Sequence, residues 1–194
     1  FPNFAPALVN EIRKYDATKD RAASWHVLVA KDGRLFQSIS FEAGSWHVGK
    51  PGRIGSRLTT NINKCTVGVE LENAGRLEKV DGKFYCWPFW VNPDLAPSLR
   101  KPDPKLEVAP DRAVIHDGVW FDDFPAAQEQ AAGRLLQALV GWAGWKRDVC
   151  SFGHYQFDPV RREDPGLYWM EVILPRVLNR VFGAIVPPPP DKVA

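Results

Sequence analysis

Long apolar runs are missing from this 194-residue sequence. No stretch reaches the ~18 residues that a helix needs to span a bilayer. No signal peptide opens the chain. It begins at Phe1 rather than Met, and the expectation is that a leader or a longer N-terminal part has been removed. Cysteine is scarce: Cys65, Cys86 and Cys150 are odd in number and show no CxxC spacing, so no disulfide framework is implied and there is room for one bridge at most. A one-signed charge field is also lacking. The formal net charge is +2, and the basic residues are interleaved with Asp and Glu rather than gathered into the stripe of a nucleic-acid binder. No internal repeat is present, and histidine occurs four times.

What is present suits one compact domain with an appendage. A chain of this size buries roughly 70% of its extended surface, and 45% hydrophobic residues with eight Trp supply the core. Residues Pro6 to Lys19 read as a short helix, with Leu8, Val9, Ile12 and Tyr15 at helical spacing. Ser24–Ala30, the tight Asp32-Gly33 turn and Arg34–Ile39 read as a β-hairpin. Thr66–Leu71 is a β-branched run suited to a central strand. Residues 73–118 hold six prolines and read as a long insertion with short strands or turns, of the kind that commonly serves function. Phe124–Trp145 is the clearest helix, with Ala127, Ala131, Leu135, Leu139 and Trp142 as its apolar stripe. Val149–Gly153 reads as a short strand and Tyr168–Phe182 as a second helix. Residues 184–194 are a Pro-rich tail. The order predicts an α/β fold: a single domain, residues 1–183, with a mixed central β-sheet flanked by helices.

The chemistry concentrates between Gly153 and Gly166. His154 follows the expected strand, and Asp164 comes ten residues later, just before Pro165-Gly166. Imidazole and carboxylate are both good zinc ligands, and a loop between them brings both to one metal. On its own such a pair is more commonly a strand cap and a turn start. The wording of the segment is more specific. Gly153-His154-Tyr-Gln-Phe157-Asp-Pro159-Val-Arg161-Arg162-Glu-Asp164-Pro165-Gly166 resembles, without a gap, the closing motif GH-x-D-I-x-P-x-R-K-x-DPG of the N-acetylmuramoyl-L-alanine amidases, the family that includes phage T7 lysozyme and the peptidoglycan-recognition proteins.

Other stretches agree in the right order. Ser24-Trp-His26-Val-Leu-Val with Lys31-Asp-Gly33 resembles the family's S-x-H-y-l-I-x-x-DG hairpin. Trp46-His47-Val-Gly49 is similar to its WHAG turn, and Asn63–Leu71 to N-x-x-S-I-G-I-E-L. Phe124–Gln128 is similar to the start of its long helix. The resemblance covers roughly residues 20 to 175.

It implies Zn2+ bound by His154 and Asp164, with Glu70 activating a metal-bound water. Glu72 competes with Glu70, because alternation puts both on one strand face. Arg162 stands where the family commonly has Lys, a cation implied to steady the oxyanion; arginine supplies the charge with a different geometry. His26 and His47 are expected to line the substrate cleft, and Trp25 and Trp46 to pack. The implied partner is peptidoglycan or a muropeptide, with no nucleic acid and no membrane span, in a secreted, periplasmic or phage-associated setting.

One implied ligand has no match. The family's first zinc ligand is a His on an N-terminal strand preceding the opening helix. Its place here is open between residues upstream of Phe1, His116 in Arg112–Gly118, and His26. The remaining reading is a protein that binds peptidoglycan without cutting it.

Overall fold

Strand β1 (Val27–Val29) is buried along its whole length and sits at the middle of a three-stranded mixed sheet. On one side it pairs antiparallel with β2 (Leu35–Gln37), across the turn at Asp32-Gly33. On the other it pairs parallel with β5 (Val69–Leu71), in the register Leu28 to Glu70. A computed structural model describes residues 24–48, 51–86, 101–160 and 162–183. The expected helix at 6–19 and the tail at 184–194 lie outside the described residues.

Alternation along these strands divides the sheet into two faces. Val29 and Leu71 point to the face covered by helix α1 (Ala126–Ala143) and by the last helical segment, where they join Phe124, Ala131, Trp169, Ile173 and Val177 in the main core. Leu28 and Glu70 point to the opposite face. The last segment runs through a π-helical turn, Trp169–Ile173, into α2 (Leu174–Phe182). Glu129 on α1 holds the two helices together by pairing with Arg176 and Arg180. Gln128, fully buried, donates its amide to the carbonyls of Val29 and Glu72 and so locks the start of α1 to β1 and the end of β5.

In its described residues the insertion is more ordered than its sequence suggests. Strands β6 (Arg76–Val80), β7 (Lys83–Cys86), β8 (Glu107–Val108), β9 (Ala113–His116) and β10 (Val119–Asp122) form a five-stranded antiparallel sheet in the order β8-β7-β6-β10-β9. Leu77, Phe84 and Val108 form its own small core. A small hairpin, β3 (Gly52–Ile54) and β4 (Arg57–Thr59), completes the sheets.

The fold is the expected mixed α/β domain, with three corrections in detail. Val149–Gly153 is not a strand: Arg147–Val149 forms a 3-10 turn, and among the described residues no strand pairs with the residues after it. Strand β5 is at the edge of its sheet among the described residues, not at the centre. The apolar stripe of α1 is narrower than expected, because Ala127 and Trp142 at its ends face solvent. All three cysteines are free thiols. Among the described residues no helix is long and apolar enough to cross a membrane.

Candidate active site

The eleven-residue loop from His154 to Asp164 is closed on itself. Tyr155 N–H donates to the Asp164 carbonyl (3.2 Å), Asp158 N–H to the His154 carbonyl (3.2 Å), and Arg162 N–H to the Asp158 carbonyl (3.0 Å). At its entrance Gly153 N–H donates to the Gln156 side chain at 2.7 Å. A Cβ at Gly153 would fall 2.8 Å from the Tyr155 ring and 3.1 Å from Pro165, so glycine lets the loop ends close this tightly.

The closure brings the two side chains together. His154 Nδ1 and Asp164 Oδ2 are 3.0 Å apart, and His154 Nε2 makes a longer contact of 3.4 Å with the Val48 carbonyl. With Nε2–H turned to that carbonyl, the Nδ1 lone pair and a carboxylate oxygen aim at one point. Two acceptors so placed repel unless a proton or a cation lies between them. This is the donor chemistry of a zinc site, and the pair fits that metal. The hydrogen bond that the protonated imidazole donates to Asp164 holds His154 above its ordinary pKa against the opposing effect of burial. Burial pushes the Asp164 carboxyl up, but His154 outweighs it and holds that carboxyl below its usual range.

Glu70 enters from β5, on the sheet face away from the helices. It keeps solvent access, as does Val69 beside it. Partial burial and the negative charge of Asp164 raise its pKa, with His154 and Arg162 opposing. The charges of Glu70, His154, Asp164 and Arg162 thus act on one another within one neighbourhood. Glu72 does not share it. Strand β5 ends at Leu71, and the Glu72 carboxylate turns to accept from Lys31 N–H at 3.0 Å.

His26 and His47 behave differently from each other. His26 is 1% exposed. Its Nδ1 accepts from Gly68 N–H (2.9 Å), and its Nε2 lies 2.9 Å from the Ala43 carbonyl, which assigns the neutral, Nε2-protonated tautomer. It supports the loop and lines no cleft, a correction of the expected substrate contact. Both nitrogens are taken, so it does not serve as the third metal ligand either.

His47 is only partly buried. Thr66 gives its hydroxyl proton to the Ile62 carbonyl, so His47 Nε2–H donates to Thr66 Oγ1 (2.7 Å), and His47 Nδ1 faces Ser45 Oγ at 2.7 Å. Burial and the neighbouring His26 and His154 push its pKa down to about 4, against a backbone contact with Ser45. Gly68 allows this packing, since a Cβ there would lie 2.7 Å from the His47 ring. Trp46 is 42% exposed beside it, where packing was expected.

His116 does not replace the missing ligand. It sits at the end of β9 with Nε2 2.7 Å from Glu171 Oε2. Among the described residues no third His, Cys, Asp or Glu atom joins His154 and Asp164 in a metal-sized group. Sequence reading missed Ser45 and Thr66, which fix the histidines across separations of 19 residues, and Asp122, discussed below. No local spacing signals contacts of that range.

Comparison with known proteins follows the same lines. The profile of the N-acetylmuramoyl-L-alanine amidase family matches residues 2–167. The fold is similar to that of the N-acetylmuramyl-L-alanine amidase AmiD from E. coli, solved with anhydro-N-acetylmuramic acid-L-Ala-D-gamma-Glu-L-Lys (TM-score 0.56, 22% identity, 93% of this chain and 54% of that one). A selenomethionine derivative of AmpD matches more loosely (TM-score 0.41, 21% identity, 86% of this chain and 62% of that one). The chain thus spans little more than half the length of these structures. Among curated proteins, none matches the chain.

Proposed function

The chain belongs to the N-acetylmuramoyl-L-alanine amidase family, and on that premise we propose that it hydrolyses the amide between N-acetylmuramic acid and L-alanine in peptidoglycan or its muropeptide fragments. The observation that carries this reading is the side-by-side placement of His154 and Asp164 at 3.0 Å, with Glu70 and Arg162 acting on the same point.

His154 and Asp164 are the residues that would hold zinc. Zinc bound there supplies Lewis-acid polarisation of the scissile carbonyl and lowers the pKa of water. The chain's own groups do the rest. Glu70 takes a proton from the attacking water and returns it to the departing alanine nitrogen. Arg162, exposed and close by, steadies the negative charge on the carbonyl oxygen. The neutral His47 and the exposed Trp46 flank the approach to this point. A cell-wall substrate puts the reaction in a secreted, periplasmic or phage-borne setting.

Mass spectrometry of the products from defined muropeptides tests the reading. Release of free L-alanine-terminated peptide supports it; cleavage at any other bond sinks it. A second reading, a module that binds peptidoglycan without turnover, is favoured by one observation: two protein ligands hold zinc weakly, where three plus water are the norm. Metal analysis alongside the cleavage assay separates the two.

A further inference from the structure

Apart from the catalytic pair, one other set of side chains in the described residues has donors spaced for a metal. A nitrogen of His116 and carboxylate oxygens of Asp117 and Glu171 all lie within 4.8 Å of one another. Neither His154 nor Asp164 belongs to the group. We propose that these three residues form a second divalent-metal site, selective for zinc-type cations (Zn2+, Co2+, Ni2+), which clasps the inserted sheet to the helix that follows Asp164.

The donor set has the right charge. Two carboxylates and a neutral imidazole neutralise one divalent cation, and one aromatic nitrogen among oxygens favours borderline transition metals over Ca2+ and Mg2+. The spacing also fits. Three ligands at ~2.1 Å from a tetrahedral centre sit about 3.4 Å apart, so small side-chain rotations from the present positions suffice. His116 Nε2 and Glu171 Oε2, now hydrogen-bonded at 2.7 Å, would part slightly to admit the ion. His116 keeps about a fifth and Glu171 about half of its side-chain surface exposed, so the ion has an entry path and room for a water ligand.

The two halves are held by separate, rigid elements. His116 and Asp117 are fixed by the two-residue turn between β9 and β10, where Asp117 and Gly118 both take positive φ (47° and 77°), the geometry of a tight hairpin. Glu171 projects from the π-helical turn that begins three residues after Gly166. A metal would therefore bridge segments 54 residues apart, with no change in either backbone.

The test uses the full chain with His154→Gln and Asp164→Asn, which removes the catalytic pair, and competition for zinc with a chromophoric chelator. The expected result is one zinc bound per chain, with affinity falling at least tenfold on adding either His116→Gln or Glu171→Gln. Co2+ in place of zinc should give a visible absorption band that the same substitutions abolish. Absence of stoichiometric zinc in the starting variant, or affinity indifferent to both added substitutions, overturns the proposal. Two alternative substitutions at exposed side chains guard against one of them failing to fold, and circular dichroism checks each.

Discussion

Asp164 holds two neighbours at once: its carboxylate stands 3.0 Å from the His154 Nδ1, and its backbone carbonyl accepts from the N–H of Tyr155, the residue after that histidine. The side chains are thus aligned by the backbone that carries them, and each position can be perturbed separately.

Asp164→Ala removes one of two metal donors and leaves the backbone hydrogen bonds that close the loop. Zinc content should fall by one ion per chain and muropeptide cleavage should be lost, with the unfolding midpoint of the metal-free protein shifted little. Elemental analysis and a cleavage assay check this; unchanged cleavage would end the metal reading.

Glu70→Gln keeps the shape of the cleft and removes the proton acceptor. General-base catalysis contributes roughly 10²–10⁴-fold, so kcat should fall by about that factor while zinc content stays at the native level. A loss of less than threefold reassigns the base.

Gly68→Ala drives a methyl group to 2.7 Å from the His47 ring. The His47 side chain is held by Ser45 and Thr66 and has little freedom to yield. Overpacking of this kind costs about 1–3 kcal/mol, to be read from urea denaturation of the metal-free chain.

His47 has an acid-side consequence for stability. The folded chain protonates it only at about pH 4, whereas the unfolded chain does so near its ordinary 6.5. Between those limits the unfolded state binds more protons, so stability falls as pH drops from 6.5 to 4. In His47→Gln the slope of unfolding free energy against pH should be shallower over that window. An unchanged slope would show that His47 is not held neutral.

Asp122, 0% exposed, accepts Lys31 (2.9 Å) and Arg112 (2.6 Å) as well as Ala74 N–H (2.8 Å). Asp122→Ala strands two cations, one of them with its pKa already lowered by burial. The cost should be on the order of 2–3 kcal/mol, below that of a fully buried pair because Arg112 is partly exposed. Thermal unfolding measures it.

Legibility in the sequence followed the range of the interactions. The hairpin β1–β2 declared itself through Asp32-Gly33 between β-branched runs, and the His154–Asp164 pairing through a motif confined to fourteen positions. Glu70 and Glu72 could not be separated by alternation, because the strand stops at Leu71 and the backbone then turns Glu72 toward Lys31. The five-stranded sheet stayed hidden for a related reason. Phe84 and Tyr85 are both buried despite being adjacent, which erases the period of two, and the pairing of β6 with β10 joins residues more than forty positions apart. Val149–Gly153 has strand-like composition but, among the described residues, no neighbour to pair with, and composition alone does not make a ladder. His26 looked like a cleft residue because its type suggests chemistry. Its burial depends on Ala43, Ser45 and Gly68, which only the folded chain brings together.

The knot around Asp122 also bears on how this protein can be shortened. Residues 76–122 look like an accessory that an engineer would excise to reach a minimal enzyme. Cutting them out takes away Arg112 and Asp122 together and leaves Lys31 without its carboxylate, at the turn between β1 and β2. Lys31 also donates to the Asp123 carbonyl at the new junction. A workable deletion must therefore change Lys31 in the same step, to a residue such as Met that fills the space without a charge. The inserted sheet and the scaffold are a joint inheritance, separable only by rewriting both sides of the seam.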